Sequence, residues 1–455
     1  MSEAADVETA GSTDENAVPR LVDGVRLLGE YEGGGYEEPR YLVSRADGQM
    51  VLVSPLLHEV ASRLDGARTV REVAERVNAD LGLELSAADV AYLVDKKLYP
   101  MGVATTSEPL PDPPRSDPLL SLVFNTQLLP PGFVRAAAAI FSPFYRPPVI
   151  ALMLSLFVAV DVWLVVSGGI DAAFHRSVGD PVLVLTLMVL WVCATLFHEF
   201  GHAAGCHYGG ARPGGIGVGI LVLYPAFYTN VTDAYRLDRR GRLRTDLGGI
   251  YFNAIFIVAV FGLYQLTEIP ALKVFMVLNH LQILQQLLPL LRLDGYLILG
   301  DLVGVPNLFA FVGPVWRRLR GKPDNGSTTH QALRPRVQVL VTTWVLIVVP
   351  LLIVALTLLL LRLPFYLATA TSRAVEYGQV ALAAGGQGSV GVLLLAVLSM
   401  LLLLIPWVGG TAFAIRTGRR VVKLVRKLRA RRQASRPQPK HRKRSGRLRP
   451  PPAAA

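Results

Sequence analysis

The chain has 455 residues, of which 52% are hydrophobic and only 18% are charged. Soluble globular proteins usually carry about 25% charged residues, so this composition excludes an ordinary soluble enzyme and excludes disorder over most of the chain. Several apolar stretches of about 18 or more residues are long enough to cross the hydrocarbon core of a bilayer. The sequence therefore predicts a multi-pass α-helical membrane protein with additional soluble parts.

The N-terminal part of the chain has the patterns of a small soluble domain. Residues 1–20 are polar and acidic and are predicted to be disordered. Residues 21–105 combine short β-prone runs with three short helical patterns, which predicts an α+β winged-helix domain. Ser54 is a predicted N-cap, and Thr69-Val-Arg-Glu72 and Ser86-Ala-Ala-Asp89 are predicted capping boxes that open the second and third helices.

A Pro-rich linker, predicted for residues 106–147, leads to six apolar segments. The predicted spans are 149–166, 182–204, 247–266, 271–291, 337–361 and 390–413. We expect a catalytic membrane core over 148–305 and further spans over 306–415. The loops 205–246 and 301–336 are rich in Arg, and such loops accumulate on the cytoplasmic side. Both termini are therefore predicted to be cytoplasmic.

The positive charge of the chain is concentrated in its C-terminal tail. The formal net charge is +12, but residues 416–455 contain 16 Lys or Arg and no acid, which leaves 30 basic and 34 acidic residues elsewhere. This low-complexity segment is predicted to be disordered. Because it lacks aromatic side chains on which bases could stack, we expect it to bind anionic lipids and expect no specific nucleic-acid partner.

The second predicted span ends in a metal-binding pattern. His198-Glu-Phe-Gly-His202 is an HExxH motif, in which two His four residues apart share one helix face and can converge on one ion. Glu199 flanks that face and can take a proton from water. Because His and Glu are energetically expensive inside an apolar span, the motif predicts a functional site with one zinc ion.

A catalytic zinc site uses three protein ligands and an open position. Cys206 and His207 follow the motif, but about 12 Å of helix rise separates His198 from Cys206. Both are therefore predicted to be structural or interfacial. Asp294 ends the predicted fourth span at the same depth as the two His and is the predicted third ligand. The alternative is that Asp294 is an interfacial cap or a partner of Arg292.

These motifs together resemble the site-2 protease family of intramembrane zinc metalloproteases, and within it the peptide zinc metalloprotease subgroup. The resemblance covers residues 182–305, with HEFGH on one span, Gly249-Ile-Tyr-Phe-Asn253 on the next, and Leu293-Asp294-Gly295 on the one after. It departs from the family at Gln286 and Arg292, where the family often has Asn and Pro. The resemblance implies zinc ligands His198, His202 and Asp294, the general base Glu199 and the supporting residue Asn253.

Residues 21–105 resemble PqqD-like domains, which are winged-helix modules that recognise the leader peptides of ribosomally made peptides. The resemblance rests on Ser54–Leu64, on Asp65–Glu72 and on Ala88–Leu98. It implies a substrate-recognition role. The alternative is a winged helix that only packs or dimerises.

Further polar residues occur within the apolar segments. Asn279, Gln282 and Gln286 form a stripe that is predicted to face the bundle interior, where it bonds to neighbouring helices or lines a substrate cleft. Asp161 requires a partner that the sequence does not identify. The Gly-alternating segment Gly215–Tyr224 is predicted to form an edge strand beside the active site, where a substrate strand can be added.

The sequence as a whole predicts a zinc-dependent intramembrane endopeptidase of a bacterial-type plasma membrane. Its predicted partner is a membrane-associated protein or peptide substrate, and peptide maturation and signalling both remain open as its setting. A non-catalytic membrane protein that binds or exports peptides is the alternative. A diiron enzyme would require several His boxes, and the chain has eight His with one box.

Overall fold

The computed structural model describes residues 15–45, 49–105, 123–221, 224–321 and 332–387, with a few isolated positions between 390 and 398. Within these ranges the chain is mostly helical and carries three small antiparallel sheets. The predicted tail 416–455 and most of the predicted sixth span 390–413 lie outside the described residues.

The N-terminal part contains short strands and three short helices around one apolar core. Its elements are β1 (Arg20–Leu21), β2 (Arg26–Glu30), β3 (Tyr41–Ser44), β4 (Met50–Val53), α1 (Pro55–Ser62), α2 (Val70–Leu81), α3 (Ala87–Leu93) and β5 (Ala104–Thr105). Strands β2, β3 and β4 pair in that order, and β1 pairs with β5. Apolar side chains from the sheet and all three helices, among them Val43, Val60 and Val90, are fully buried together. The winged-helix assignment stays a prediction.

The three predicted helix starts in this part are confirmed. The Ser54 side chain accepts a hydrogen bond from the first turn of α1. Thr69 with Glu72 and Ser86 with Asp89 form complete reciprocal capping boxes at α2 and α3. Each cap depends only on residues three apart, which is why sequence alone predicts it.

Long helices and one further sheet form the rest of the described chain. Their bounds are β6 (Val123–Leu129), α4 (Pro131–Phe141), α5 (Pro147–Ser167), α6 (Ile170–Gly179), α7 (Pro181–Tyr208), β7 (Ile216–Leu221), β8 (Tyr224–Thr229), α8 (Arg239–Asp246), α9 (Gly248–Thr267), α10 (Pro270–Leu287), α11 (Asp294–Val303), α12 (Val312–Leu319) and α13 (Pro335–Gln387). The predicted Pro-rich linker 106–147 therefore contains regular structure, because strand β6 and helix α4 lie within it. Helix α13 continues past the predicted end of the fifth span at residue 361, through Pro364–Tyr366.

Four helices of the described chain are long and apolar enough to cross a membrane, by length and composition. They are α5, α7 from Val182 onward, α9, and α13 over Pro335–Ala355. A fifth span is counted if the pair Asp294–Val303 and Leu308–Leu319, which is bent by 68°, crosses as one unit. Four of the six predicted spans thus coincide with helices of this kind.

The predicted fourth span, 271–291, is divided in the structure. Helix α10 ends at Leu287, because Pro289 disfavours the helical conformation of Leu288 and cannot donate a backbone hydrogen bond. Lys273 and the polar stripe also make α10 too polar to count among the described helices that are apolar enough to cross a membrane. Asp294 therefore opens a separate helix, α11, and does not end the fourth span.

The sheet beside α7 has the order β6-β7-β8. The predicted edge strand Gly215–Tyr224 does form a strand, β7, but it is the central strand, because residues 123–129 of β6 pair with its other side. On the side of β7 opposite β6, the edge strand of the described sheet is β8. Strand β8 lies against α7.

Helices α7 and α9 approach each other at glycines. A Cβ on Gly248 would lie only 2.6 Å from the carbonyl oxygen of Gly201, so only glycine permits this spacing. The Tyr145 hydroxyl donates a 2.8 Å hydrogen bond to the same carbonyl. Small residues allow this kind of close helix packing inside membranes. The contact brings α9 against the part of α7 that carries the HExxH motif.

Candidate metal centre

The two motif histidines lie one turn apart near the C-terminal end of α7. Both are buried, and their Nε2 atoms are 3.1 Å apart. The ring planes of His198 and His202 are inclined by 82°. Two nitrogen lone pairs therefore point into the same small space.

Asp294 reaches this space from the first turn of α11. Its Oδ2 lies 3.1 Å from His198 Nε2, and its Oδ1 lies 3.4 Å from His202 Nε2. Gly295 makes this approach possible, because a Cβ at that position would overlap the backbone of Leu287 at the end of α10. The structure thus brings the three predicted ligands together, although Asp294 begins a helix.

The spacing of the three groups fits a zinc ion. The ligand atoms of His198, His202 and Asp294 all lie within 4.8 Å of one another. Zinc–nitrogen bonds of about 2.0–2.1 Å at tetrahedral angles hold two nitrogens about 3.3 Å apart. Two imidazole nitrogens with a carboxylate oxygen also form a donor set typical of catalytic zinc. The residues present therefore fit one Zn²⁺.

The surroundings fix the orientation of the imidazoles. The carbonyl oxygen of Thr245 lies 2.8 Å from His202 Nδ1, and accepting that N–H leaves Nε2 free as a ligand. Gly249 of α9 packs against both rings, since a Cβ there would lie 2.5 Å from His202 Nε2 and closer still to the ring of His198. His198 Nδ1 is buried without a hydrogen-bond partner in the described chain.

Glu199 is held beside the site by Thr229 at the end of β8. The Glu199 side chain is buried, and its Oε2 accepts a 2.6 Å hydrogen bond from the Thr229 hydroxyl. The same hydroxyl lies 3.0 Å from the backbone oxygen of Glu199. No local sequence pattern marks Thr229, because its contact with Glu199 joins residues 30 positions apart.

Asn253 connects to the site through a second amide. Its Nδ2 donates a 3.1 Å hydrogen bond to Gln286 Oε1, and Gln286 Nε2 lies 3.3 Å from His198 Nε2. Of the three residues in the polar stripe of α10, Gln286 thus reaches the site. Asn279 and Gln282 keep buried polar atoms that have no hydrogen-bond partner in the described chain.

Cys206 and His207 are not part of the cluster of ligating atoms found among the described residues. Cys206 is fully buried and packs with Ala211 and Ala234. Its thiol is therefore enclosed in an apolar contact and is not one of the three converging groups.

The partner of Asp161 is His280. His280 Nε2 lies 2.7 Å from Asp161 Oδ1, and its Nδ1 lies 2.7 Å from the carbonyl oxygen of Met276. The His280 ring also stacks on Phe157 at 5.2 Å. This pair joins α5 to α10 and satisfies two polar groups that would be expensive apart.

Comparison with known proteins gives one informative similarity. The chain is similar to a Bacillus subtilis (strain 168) protein named "Putative peptide zinc metalloprotease protein YydH", with 26% identity over 134 residues, which is 29% of this chain and 53% of that protein. The chain therefore matches about half the length of this relative. No family model matches the chain, and no solved structure matches it. The relative's name suggests a zinc metalloprotease, in agreement with the donor set at His198, His202 and Asp294.

Proposed function

We propose that the protein is a zinc-dependent intramembrane endopeptidase that cleaves a membrane-associated protein or peptide, in the maturation of a ribosomally made peptide. The convergence of Asp294 with His198 and His202, which lie on a helix long and apolar enough to cross a membrane, carries this proposal. Buried ionisable groups in such a segment are retained where they have a function. The relative named as a peptide zinc metalloprotease supports the same chemistry.

The residues of the chain divide the work of peptide hydrolysis. A zinc ion held by the three ligands would supply polarisation of the scissile carbonyl and a more acidic water. Glu199 accepts the proton of the attacking water at its carboxylate and returns it to the departing nitrogen. Thr229 orients that carboxylate through the 2.6 Å hydrogen bond. Thr245 keeps His202 in the tautomer that binds metal.

Strand β8 is the proposed docking edge for the substrate. It is an edge strand of the described sheet, and its last residue, Thr229, contacts Glu199. An extended peptide that pairs with this edge gains backbone hydrogen bonds and presents its amides along the strand. Such pairing would carry the scissile bond past Glu199.

The N-terminal domain is proposed to select the substrate, since its glycine loop, Gly33–Gly35, is seated on the membrane core. The N–H of Gly35 donates a 2.9 Å hydrogen bond to the Gly304 carbonyl, and the Arg334 N–H donates a 3.0 Å bond to the Gly35 carbonyl. A peptide held by residues 21–105 would therefore start close to the core. The tail 416–455 is proposed to bind anionic lipids, with both termini cytoplasmic.

The decisive experiment compares Glu199→Gln with the wild type in liposomes. Gln keeps an oxygen that accepts from Thr229 but removes the base, so cleavage should fall by about 10²–10⁴ while zinc content is unchanged. His198→Ala should lose zinc altogether. If the wild type and Glu199→Gln both bind substrate and neither cleaves it, the non-catalytic peptide-binding alternative is correct. If Asp294→Ala retains full zinc and Cys206→Ala loses it, the proposed third ligand is wrong.

A further inference from the structure

A second polar site lies beside the candidate metal centre. A cavity of about 340 Å³ opens between the end of β8, helix α8 and helix α11. Thr229, which lines it, donates to Glu199, and Asp246, which also lines it, directly follows the Thr245 that bonds His202. The cavity is therefore next to the candidate metal centre, because it is lined by Thr229 and by the residue that follows Thr245.

The charged groups that line the cavity are two carboxylates and one guanidinium. Arg242 is 2% exposed, and its Nε donates a 3.1 Å hydrogen bond to Asp301 Oδ1. Its two other nitrogens donate to the backbone oxygens of Leu237 and Glu32 at 2.9 Å. The hydroxyl of Tyr31 donates to the same Asp301 oxygen at 3.1 Å. Asp301 is thus neutralised within the protein, and each nitrogen of the Arg242 guanidinium already donates a hydrogen bond to a group other than Asp246.

Asp246 has one carboxyl oxygen that lacks a hydrogen-bond partner in this cavity. It is 8% exposed, and its Oδ2 is buried without a hydrogen-bond partner in the described chain. No ion pair joins it to a Lys or Arg among the described residues. Burial raises the pKa of Asp246 well above its ordinary value, and the charge of Asp301 and a side-chain hydrogen bond to Asp301 add to this effect. A cation that enters the cavity would supply the missing partner.

We propose, on the basis of the proposed peptidase function, that this cavity is a specificity pocket for a Lys or Arg side chain of the substrate and that Asp246 is its anionic contact. Tyr228, Tyr235 and Leu297 line the same cavity and offer apolar surface to the methylene stem of such a side chain. The pocket thus has an apolar wall and one buried carboxyl oxygen without a partner, and a long cationic side chain that enters would favour the ionised form of that carboxyl group.

The position of the pocket agrees with the chemistry of membrane substrates. The pocket begins where β8 ends, so a strand added to the edge of β8 would pass its mouth. Apolar membrane segments are flanked by Lys and Arg on their cytoplasmic side. The pocket is lined from α8, which belongs to the predicted cytoplasmic loop 205–246. A basic residue that flanks the substrate's membrane segment is therefore the expected occupant.

The first test measures binding of a small cation to the purified full-length protein in detergent. The probe is n-butylguanidinium, and n-butylurea is its neutral isostere. The wild type should bind the cation at least about tenfold more tightly than the urea, and Asp246→Asn should lose this difference. Asp233→Asn is the matched control, because Asp233 lies in the same loop and does not line the cavity. If the wild type binds the two probes equally, the proposal is wrong, whatever the variant does.

The second test separates the pocket from the peptidase itself. Liposome-reconstituted wild type and Asp246→Asn are given synthetic membrane peptides that share one apolar segment and carry Lys, Gln or Glu at its flank. The wild type should cleave the Lys peptide at least about tenfold faster, and the variant should show no preference. Cleavage by the wild type without preference refutes the pocket and leaves the peptidase standing. Absence of all cleavage refutes the peptidase, while the probe-binding result still decides on the pocket.

Discussion

Gly249 offers the sharpest test of the candidate metal centre, because it touches both histidines without being a ligand. A Cβ at this position would lie 2.5 Å from His202 Nε2, whereas ordinary contacts begin at 3.4 Å. Gly249→Ala must therefore displace an imidazole by about 1 Å, and zinc–nitrogen bonds tolerate only about 0.2 Å. We expect zinc affinity to fall by about 100-fold, or ~2.7 kcal/mol.

Gly262→Ala is the matched control for this change. It makes the same substitution on the same helix, α9, but a Cβ there meets nothing within 4 Å. Zinc affinity should be measured by competition with a chelator of known strength, and helix content by circular dichroism. Wild-type zinc affinity in Gly249→Ala would show that the two imidazoles do not share an ion at this place, and the proposed centre would then be wrong.

Three further predictions concern the surroundings of the centre. Gly35→Ala should loosen the N-terminal domain from the core and speed its limited proteolysis, because the added Cβ overlaps the backbone of α11. Gly34→Ala is the control and should have no such effect, because a Cβ there makes only ordinary contacts. Thr229→Val should lower cleavage by about tenfold with zinc content unchanged, because Glu199 loses its 2.6 Å donor. Asp246→Asn should become increasingly more stable to heat than the wild type as the pH rises above the ordinary carboxyl range. The folded-state pKa of Asp246 is raised, so the wild type's stability is fully present below the ordinary carboxyl range and is lost as the pH rises through the raised value.

Local sequence patterns predict the helix starts and the histidine pair of this chain correctly. The caps at Ser54, Thr69 and Ser86 each join residues three apart, so both partners of each cap lie in one short segment of the sequence. The HExxH spacing is equally local, and a helix of any context places His198 and His202 on one face. Features of this range could be predicted without knowledge of the tertiary structure.

Contacts between distant segments could not be predicted in the same way. Asp161 and His280 are 119 positions apart, and the sequence shows only that each is polar in apolar surroundings. The sequence also predicts the fourth span as one continuous segment, although Pro289 lies within it. A window of apolar residues does not distinguish a continuous helix from one that ends at a proline and restarts at Asp294.

The centre also depends on glycines that carry no chemistry of their own. Gly248 lets α9 meet α7, Gly249 leaves room for the imidazoles, and Gly295 lets α11 start against the end of α10. In a bilayer the hydrophobic effect does not drive helices together, so close packing at small residues has to supply part of the association energy. The motif residues therefore specify which atoms can bind a metal, and the glycines determine whether those atoms meet. A bulkier residue at any of the three positions should damage the metal site even though every ligand is retained.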